Sequence, residues 1–203
     1  QSLGSEQLVG LSSTQVGALT NAQVQALSTT QLGTLGTDQA VGLKAGQLGA
    51  FSTDSVAAIG TSAFGALAAS SLVGLSSAQA AALTSTQLQS LTTTQAAGLA
   101  AAGAMGLSSG QLSAMESQDL AKLSGTAVSA LRSDALVGLS GTQVAGLTSA
   151  QVGALTAQQA GGLTSQQMVS LKTDQAQALA VSVLSGMGTA AVAGLNTDAL
   201  VKL

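Results

Sequence analysis

Hydroxyl side chains are the groups in this chain that are most able to do chemistry, because Ser and Thr recur along its whole length. A Ser or Thr nucleophile needs a base to take its proton, usually His, and the sequence contains no His. A Ser–Lys dyad is the remaining route. Lys44 lies beside Ala45 and Lys172 beside Thr173, in surroundings that resemble the rest of the chain. The sequence therefore predicts no catalytic residue and no enzyme, with the hydroxyls serving as helix caps and corners.

Acidic residues are the second group to consider, because paired carboxylates bind metals. Asp38 and Asp54 occupy the same position of an eight-residue repeat, two repeats apart, and Asp174 and Asp198 are three repeats apart. Calcium takes six to eight oxygen ligands, and the glycine-rich motif of calcium-binding solenoids is absent. His, Cys and Tyr are also absent, which excludes the usual haem and iron–sulfur ligands. We expect no metal and no cofactor.

The remaining large side chains are few, and their positions favour packing over chemistry. Phe51 and Phe64 are the only aromatic residues. Among the methionines, three replace an aliphatic residue at a position that we expect to be buried, namely Met115, Met168 and Met187, whereas Met105 does not. Core packing is the predicted role of both phenylalanines and of those three methionines.

Charge is scarce, which limits the classes of partner. Charged residues make up 6% of the 203 residues, against about 25% in ordinary soluble domains. Five basic residues cannot neutralise a run of phosphates, so we expect no nucleic-acid partner. Polar residues interrupt every apolar stretch before it reaches the roughly 18 residues of a membrane-spanning helix. Self-association is the interaction that this composition opposes least.

The elements that position these residues repeat as octads. When the chain is divided into octads from Leu3, position one is Leu in 21 of 25, the exceptions being Phe51, Ile59, Met115 and Met187. Position three is Ser or Thr in 17 octads, position five is Gln in 15, and position eight is Gly or Ala in 20. No insertion breaks the register. We therefore expect residues 1–203 to form one continuous array of about 25 octads, without a readable number of octads per turn.

Each octad contains the signals that begin a helix. In LTSTQLQSL, residues 83–91, Thr84 and Gln87 have the spacing of a capping box, and Leu83 and Leu88 that of a hydrophobic staple. We predict five or six helical residues followed by a corner of two or three. In the octads with Asp at position four, a helix cap that lies one residue further along is also possible. Removal of a cap at Gln87 is expected to cost about 0.5–2 kcal/mol.

The predicted fold is an all-α solenoid, in which each repeat is a single-turn capped helix plus a corner. A β-solenoid with stacked Leu and Gln is the alternative, although Ala, Leu and Gln favour helices over strands. A disordered tract would tolerate slippage of the register and is disfavoured. One octad buries too little apolar surface to offset its ordering, so only stacked neighbours that share a core of position-one residues are stable.

Residues 147–171, LTSAQVGALTAQQAGGLTSQQMVSL, resemble the Leu-Thr-x-x-Gln-Val-x-x-Leu arrays of large bacterial surface and secreted proteins. Such arrays are often labelled adhesin-like or haem-utilisation proteins, and the resemblance extends from Leu3 to Leu203. It implies an extracellular bacterial location and a structural role. It transfers no functional residue, and the sequence offers no ligand for a haem.

Two functions fit these observations. The first is a structural module that forms a rigid extracellular rod or filament, as an adhesin stalk or a fibre. Neither QSLGSEQLVG nor LNTDALVKL looks like a polar capping repeat, so we expect a segment of a longer array or a subunit that associates end to end or side by side. The alternative is a binding surface, such as an ice-binding ladder of Ser and Thr at positions two and three.

Overall fold

A computed structural model of the chain describes residues 4–179, in which every octad forms one short helix and no strand is present. The predicted all-α solenoid is confirmed within this range. Leu3, Met187, Asp198, Lys202 and Leu203 lie outside it. The helices are α1 Ser5–Val9, α2 Ser13–Ala18, α3 Asn21–Gln25, α4 Thr29–Gly33, α5 Thr37–Gly42, α6 Ala45–Ala50, α7 Thr53–Ala58, α8 Thr61–Ala66, α9 Ala69–Leu72, α10 Ser77–Ala82, α11 Ser85–Gln89, α12 Thr93–Ala97, α13 Ala101–Gly106, α14 Ser109–Ala114, α15 Ser117–Leu120, α16 Gly125–Ala130, α17 Ser133–Leu136, α18 Gly141–Gly146, α19 Ser149–Gly153, α20 Ala157–Gly161, α21 Ser165–Val169 and α22 Thr173–Gln177.

The predicted capping box begins helices such as α2, α10 and α11, whereas α8, α9, α13, α15 and α17 begin without a side-chain cap. In α11, the Thr84 hydroxyl accepts a hydrogen bond from the Gln87 backbone N–H at 3.2 Å, and the Gln87 Oε1 accepts one from the Thr84 N–H at 2.9 Å. Both predicted staple residues, Leu83 and Leu88, are buried. Because the device is local, the sequence specified it without reference to the rest of the fold.

The cap stays at position two even where position four is Asp. Gly36, Ser52, Arg132 and Lys172 precede their helices in extended conformation, and the Asp lies in the first helical turn. The alternative of a cap shifted by one residue is therefore wrong at these four octads. A carboxylate in the first turn interacts favourably with the helix dipole without acting as the cap.

Successive turns of the coil stack on one another, so that each helix packs against the helix three before it in the chain and the helix three after it. The hydrogen bonds between layers join residues 25, 28, 30 or 31 apart, which is more than three octads and fewer than four. The coil therefore takes between three and four octads per turn. Since a turn is not a whole number of octads, the sequence shows no period of exactly one turn.

Positions one and six line the core along the rod. Every position-one residue from Leu27 to Leu179 is buried, while Leu11 and Leu19 near one end are partly buried. The predicted packing roles are confirmed for both phenylalanines, Phe51 and Phe64, and for two methionines, Met115 and Met168.

Close approach between turns requires small residues at the end of the helix. A Cβ added at Gly42 would overlap the carbonyl oxygen of Ser13, and one added at Gly106 would overlap that of Ser77. Both glycines occupy position eight, where the sequence pattern predicted a small residue. The structure shows that position eight must be small both to allow the corner and to make room for the backbone of the neighbouring turn.

Candidate functional site

The buried glutamine at position five is the most heavily used polar side chain of the octad. Gln87 is 1% exposed. Its Oε1 completes the cap of its own helix, while its Nε2 donates to the carbonyl oxygens of Val56 at 3.0 Å and Ile59 at 2.8 Å in the turn below. The Val56 carbonyl lies in the last turn of α7, where it also accepts a hydrogen bond from the Ile59 N–H at 3.3 Å, and the Ile59 carbonyl lies in the corner that follows. One side chain therefore caps the start of one helix and the end of another.

The same arrangement recurs along the rod and forms what we call the glutamine ladder. Each member donates its Nε2 to carbonyl oxygens 28 and 30 or 31 residues earlier in the chain. The members are Gln39, Gln47, Gln79, Gln87, Gln95, Gln111, Gln143, Gln151, Gln159, Gln167 and Gln175.

Side chains supply the hydrogen bonds between turns in the described residues. The backbone–backbone bonds there join residues at most four apart, so none connects one turn to the next. Besides the ladder, two hydroxyls reach another turn: Ser71 donates to the Leu43 carbonyl, and Ser149 donates to the Asp174 carboxylate at 2.8 Å. The Ser149 hydroxyl lowers the pKa of Asp174. The glutamines therefore do here what backbone ladders do in a β-solenoid.

The other candidate residues of the sequence lie apart. Lys44 and Lys172 are exposed residues at helix starts. Asp38 and Asp54 lie in α5 and α7, which are two helices apart and not layer neighbours. Within residues 4–179, no group of three or more acidic, His or Cys side chains is close enough to hold a metal ion.

One exposed ion pair and one buried acid complete the charged groups of interest. Arg132 donates to both carboxylate oxygens of Asp134, at 3.0 and 2.6 Å, and this hydrogen bonding lowers the pKa of Asp134. Asp119 occupies position five in place of glutamine and is 1% exposed. Neither of its oxygens has a hydrogen-bond partner. Burial raises the pKa of Asp119, and the nearby Glu116 carboxylate raises it further.

A regular row of exposed apolar residues was missed in the sequence. Position seven is Val or Met in every fourth octad, and small or polar in all the others. A search for a period of four octads would have found it. Each described member is 47–55% exposed, and we call these six residues the valine row: Val9, Val41, Val73, Met105, Val137 and Val169.

The valine row winds around the rod. Contacts between turns join residues less than four octads apart, whereas successive members of the row are separated by four full octads. Each member therefore lies one turn further along the axis and a fraction of a turn around it. The row presents apolar side chains on several sides of the rod and does not form one flat face.

Comparison with known proteins supports a repeat-array family. Residues 1–29 and 112–149 match a family model described as the ALTTAQ repeat. No curated protein sequence matches the chain. None of the helices in residues 4–179 is both long and apolar enough to cross a membrane. The chain is thus a helical repeat protein that is similar, over these two segments, to the ALTTAQ repeat.

Proposed function

We propose that this repeat protein is a structural rod, which serves outside a bacterial cell as a stalk or fibre. The glutamine ladder carries this proposal, because its amides are consumed in joining one turn to the next and are not available to a ligand. The bacterial, extracellular location rests on the resemblance of the octads to surface-protein arrays.

Small-angle scattering and negative-stain microscopy test the shape. The described residues make about six turns, and helices in contact pack about 8–10 Å apart, so this part of the rod is about 50–60 Å long. We expect a scattering profile of an elongated particle with one narrow cross-section. A compact profile, with a maximum dimension near that of a 19.4 kDa sphere, would contradict the rod.

We propose further that rods associate side by side with copies of themselves through the valine row. A second copy presents the same half-exposed side chains at the same spacing of four octads. Charge opposes this contact weakly, since the chain has 13 charged residues and a net charge of −3. Because the row winds, one rod meets neighbours on more than one side, which favours bundles over isolated pairs.

Sedimentation velocity over a range of concentrations tests this association. We expect the unmodified chain to form larger species that diminish when four members of the row become Ser, in the variant Val41→Ser, Val73→Ser, Met105→Ser and Val137→Ser. The matched control changes four exposed residues at the same octad position, with Gln25→Ser, Ala81→Ser, Gln89→Ser and Ala97→Ser. Association that is equal in both variants would contradict a role for the row, while the rod itself would stand.

The ice-binding alternative receives less support from the geometry. Hydroxyls at position two, such as those of Thr84 and Ser140, accept hydrogen bonds within helix caps. The stagger of between three and four octads per turn also prevents the same octad position from stacking directly above itself. Within residues 4–179, Ser and Thr at one octad position therefore do not stack into a flat ladder, and the rod is the better-supported function.

A further inference from the structure

Hydrogen bonds between turns are interrupted along one stretch that is longer than a full turn. Gln111 donates to the carbonyl oxygens of Ala80 and Leu83 in the turn below. Among the described residues, the next side chain that donates to the turn below is Gln143, four octads later. Residues in contact between turns are less than four octads apart, so this interval encircles the rod. We call residues 112–142 the unlinked turn.

The position-five residues of the unlinked turn explain the interruption. They are Asp119, Ala127 and Ala135. Alanine has no donor, and the Asp119 side chain is one methylene shorter than glutamine. The register of the ladder places the carbonyls of Leu88 and Leu91 opposite Asp119, but an ionised carboxylate has no proton to donate to them.

Two helices of the unlinked turn are also weakly held on their own. Both α15 and α17 have only four residues, and no side chain caps their first turn. By contrast, α10 has six residues and a capping box formed by Ser76 and Gln79. A single-turn helix without a cap depends on its packing partners for stability.

An earlier interval shows what a partial interruption looks like. Gln47 and Gln79 are also four octads apart, but the Ser71 hydroxyl donates to the Leu43 carbonyl between them. The buried aromatic ring of Phe64 also lies in this interval. The unlinked turn has neither a linking hydroxyl nor an aromatic residue.

Hydrogen bonds do join the unlinked turn to the turn that follows it in the chain. Four glutamines of the next turn donate to carbonyls within it: Gln143, Gln151, Gln159 and Gln167. When the rod opens, the unlinked turn must therefore remain with the C-terminal side. The plane that can open is the one between this turn and residues 85–107.

We propose that this plane is a built-in opening site, at which the coil parts into two intact blocks before either block unfolds. Apolar contacts alone hold the plane, whereas glutamine amides reinforce the planes on both sides of it. The same pattern occurs twice more in the sequence, each time as three consecutive octads without Gln at position five. One set lies eight octads earlier, at Ser55, Ala63 and Ser71, and the other lies eight octads later, at Val183, Ala191 and Ala199. This proposal does not depend on where the rod acts.

Thiol labelling of the native chain tests the proposal, because the protein contains no Cys of its own. One variant is Ala127→Cys in the unlinked turn, and its control is Ala80→Cys. Both alanines are 0% exposed and lie in six-residue helices capped by a Ser. Gln79 links the control helix to the turn below, and Gln111 donates to its Ala80 carbonyl from the turn above. We expect labelling of the Ala127→Cys variant to be at least about tenfold faster under native conditions.

Two further variants make the result specific to the glutamine links. Adding Asp119→Gln to the Ala127→Cys variant restores one link, and we expect labelling to slow. Adding Gln79→Ala, Gln87→Ala and Gln95→Ala to the Ala80→Cys variant removes one plane of links, and we expect labelling to accelerate. Equal labelling rates in the two parent variants, or a rate that Asp119→Gln leaves unchanged, would overturn the proposal. Should the triple-alanine variant fail to fold, the comparison of the two parents still decides.

Discussion

At the scale of single residues, one glutamine side chain carries out two tasks that look separate in the sequence. The capping of its own helix by Oε1 follows from the spacing of Thr84 and Gln87 alone. The donation by Nε2 to carbonyls of the turn below depends on how the coil stacks. The ladder therefore makes position five more important for stability than a cap by itself.

Replacement of Gln87 by Ala is expected to lower the free energy of unfolding by about 2–4 kcal/mol, because one bond to Oε1 and two from Nε2 are lost together. This exceeds the loss of about 0.5–2 kcal/mol expected of a cap. Urea unfolding followed by circular dichroism gives the measurement. Gln89→Ala is the matched control, since Gln89 lies exposed in the same helix and should change stability by no more than about 0.5 kcal/mol. Equal effects of the two changes would refute the ladder at this position.

Asp119 occupies a position of the glutamine ladder, but its carboxylate cannot donate the hydrogen bonds that a glutamine amide donates there. We expect Asp119→Gln to raise the free energy of unfolding by about 1–3 kcal/mol at neutral pH, because an amide satisfies groups that a buried carboxylate leaves unpaired. Asp119→Asn, which removes the charge without restoring the reach of glutamine, should gain less. A gain of the same size from both variants would assign the effect to charge alone.

The pH dependence of stability offers a second measurement on Asp119. Its pKa is raised in the folded state, so the folded chain holds the proton at pH values where the unfolded chain has released it. Stability is therefore greatest below the unfolded pKa and falls as the pH rises through the raised folded pKa. Urea midpoints measured from mildly acidic to neutral pH should decline for the unmodified chain and decline less for Asp119→Gln. Parallel pH profiles for the two proteins would contradict this assignment.

At the scale of elements, helices of four to six residues exist only because they are stacked. Isolated helices this short are not stable in water, since nucleation costs more than one turn of hydrogen bonds returns. Capping boxes set where helices such as α10 and α11 begin, and neighbouring turns supply the burial that every helix needs. The close approach of those turns is what fixes the small residues at position eight.

Two glycines in neighbouring octads provide a matched test of this close approach. Gly106→Ala is expected to destabilise the fold by about 1–3 kcal/mol, because the new Cβ overlaps the backbone of Ser77. Gly110→Ala should instead stabilise it by about 0.5–1 kcal/mol, since no atom lies within 4 Å of that Cβ and Ala is the better helix former. Thermal unfolding of both variants decides, and a loss of stability in both would show that the stacking distances are wrong.

At the scale of the whole molecule, the rod behaves as a one-dimensional stack in which each turn touches only its neighbours. Hydrogen bonds between turns in the described residues reach no further than 31 residues along the chain. A local defect should therefore open one part of the rod and leave distant turns intact. This property also underlies the opening plane below the unlinked turn.

Leu91→Asp tests this locality, because it places an unpaired charge in the buried line of position-one residues. Limited proteolysis should cut near residue 91 and release folded fragments from both sides. Gln89→Asp adds the same charge two residues away on the exposed side of α11 and should leave the digestion pattern of the unmodified chain. Uniform digestion of the Leu91→Asp variant would show that the rod unfolds as one cooperative unit.

The sequence alone determined the repeating element and its core line, and it favoured capped helices over strands. These features depend on residues within one octad, such as Thr84 with Gln87 and Leu83 with Leu88, and local spacing is visible in any linear pattern. Tertiary structure alone decided how the octads stack. The number of octads per turn, between three and four, depends on the angle of each corner and on how closely helices such as α10 and α13 approach. Neither the corner angle nor this approach produces a repeat that can be seen in the sequence. The destination of each glutamine amide, and hence the unlinked turn at Asp119, became readable only once residues almost four octads apart lay in contact.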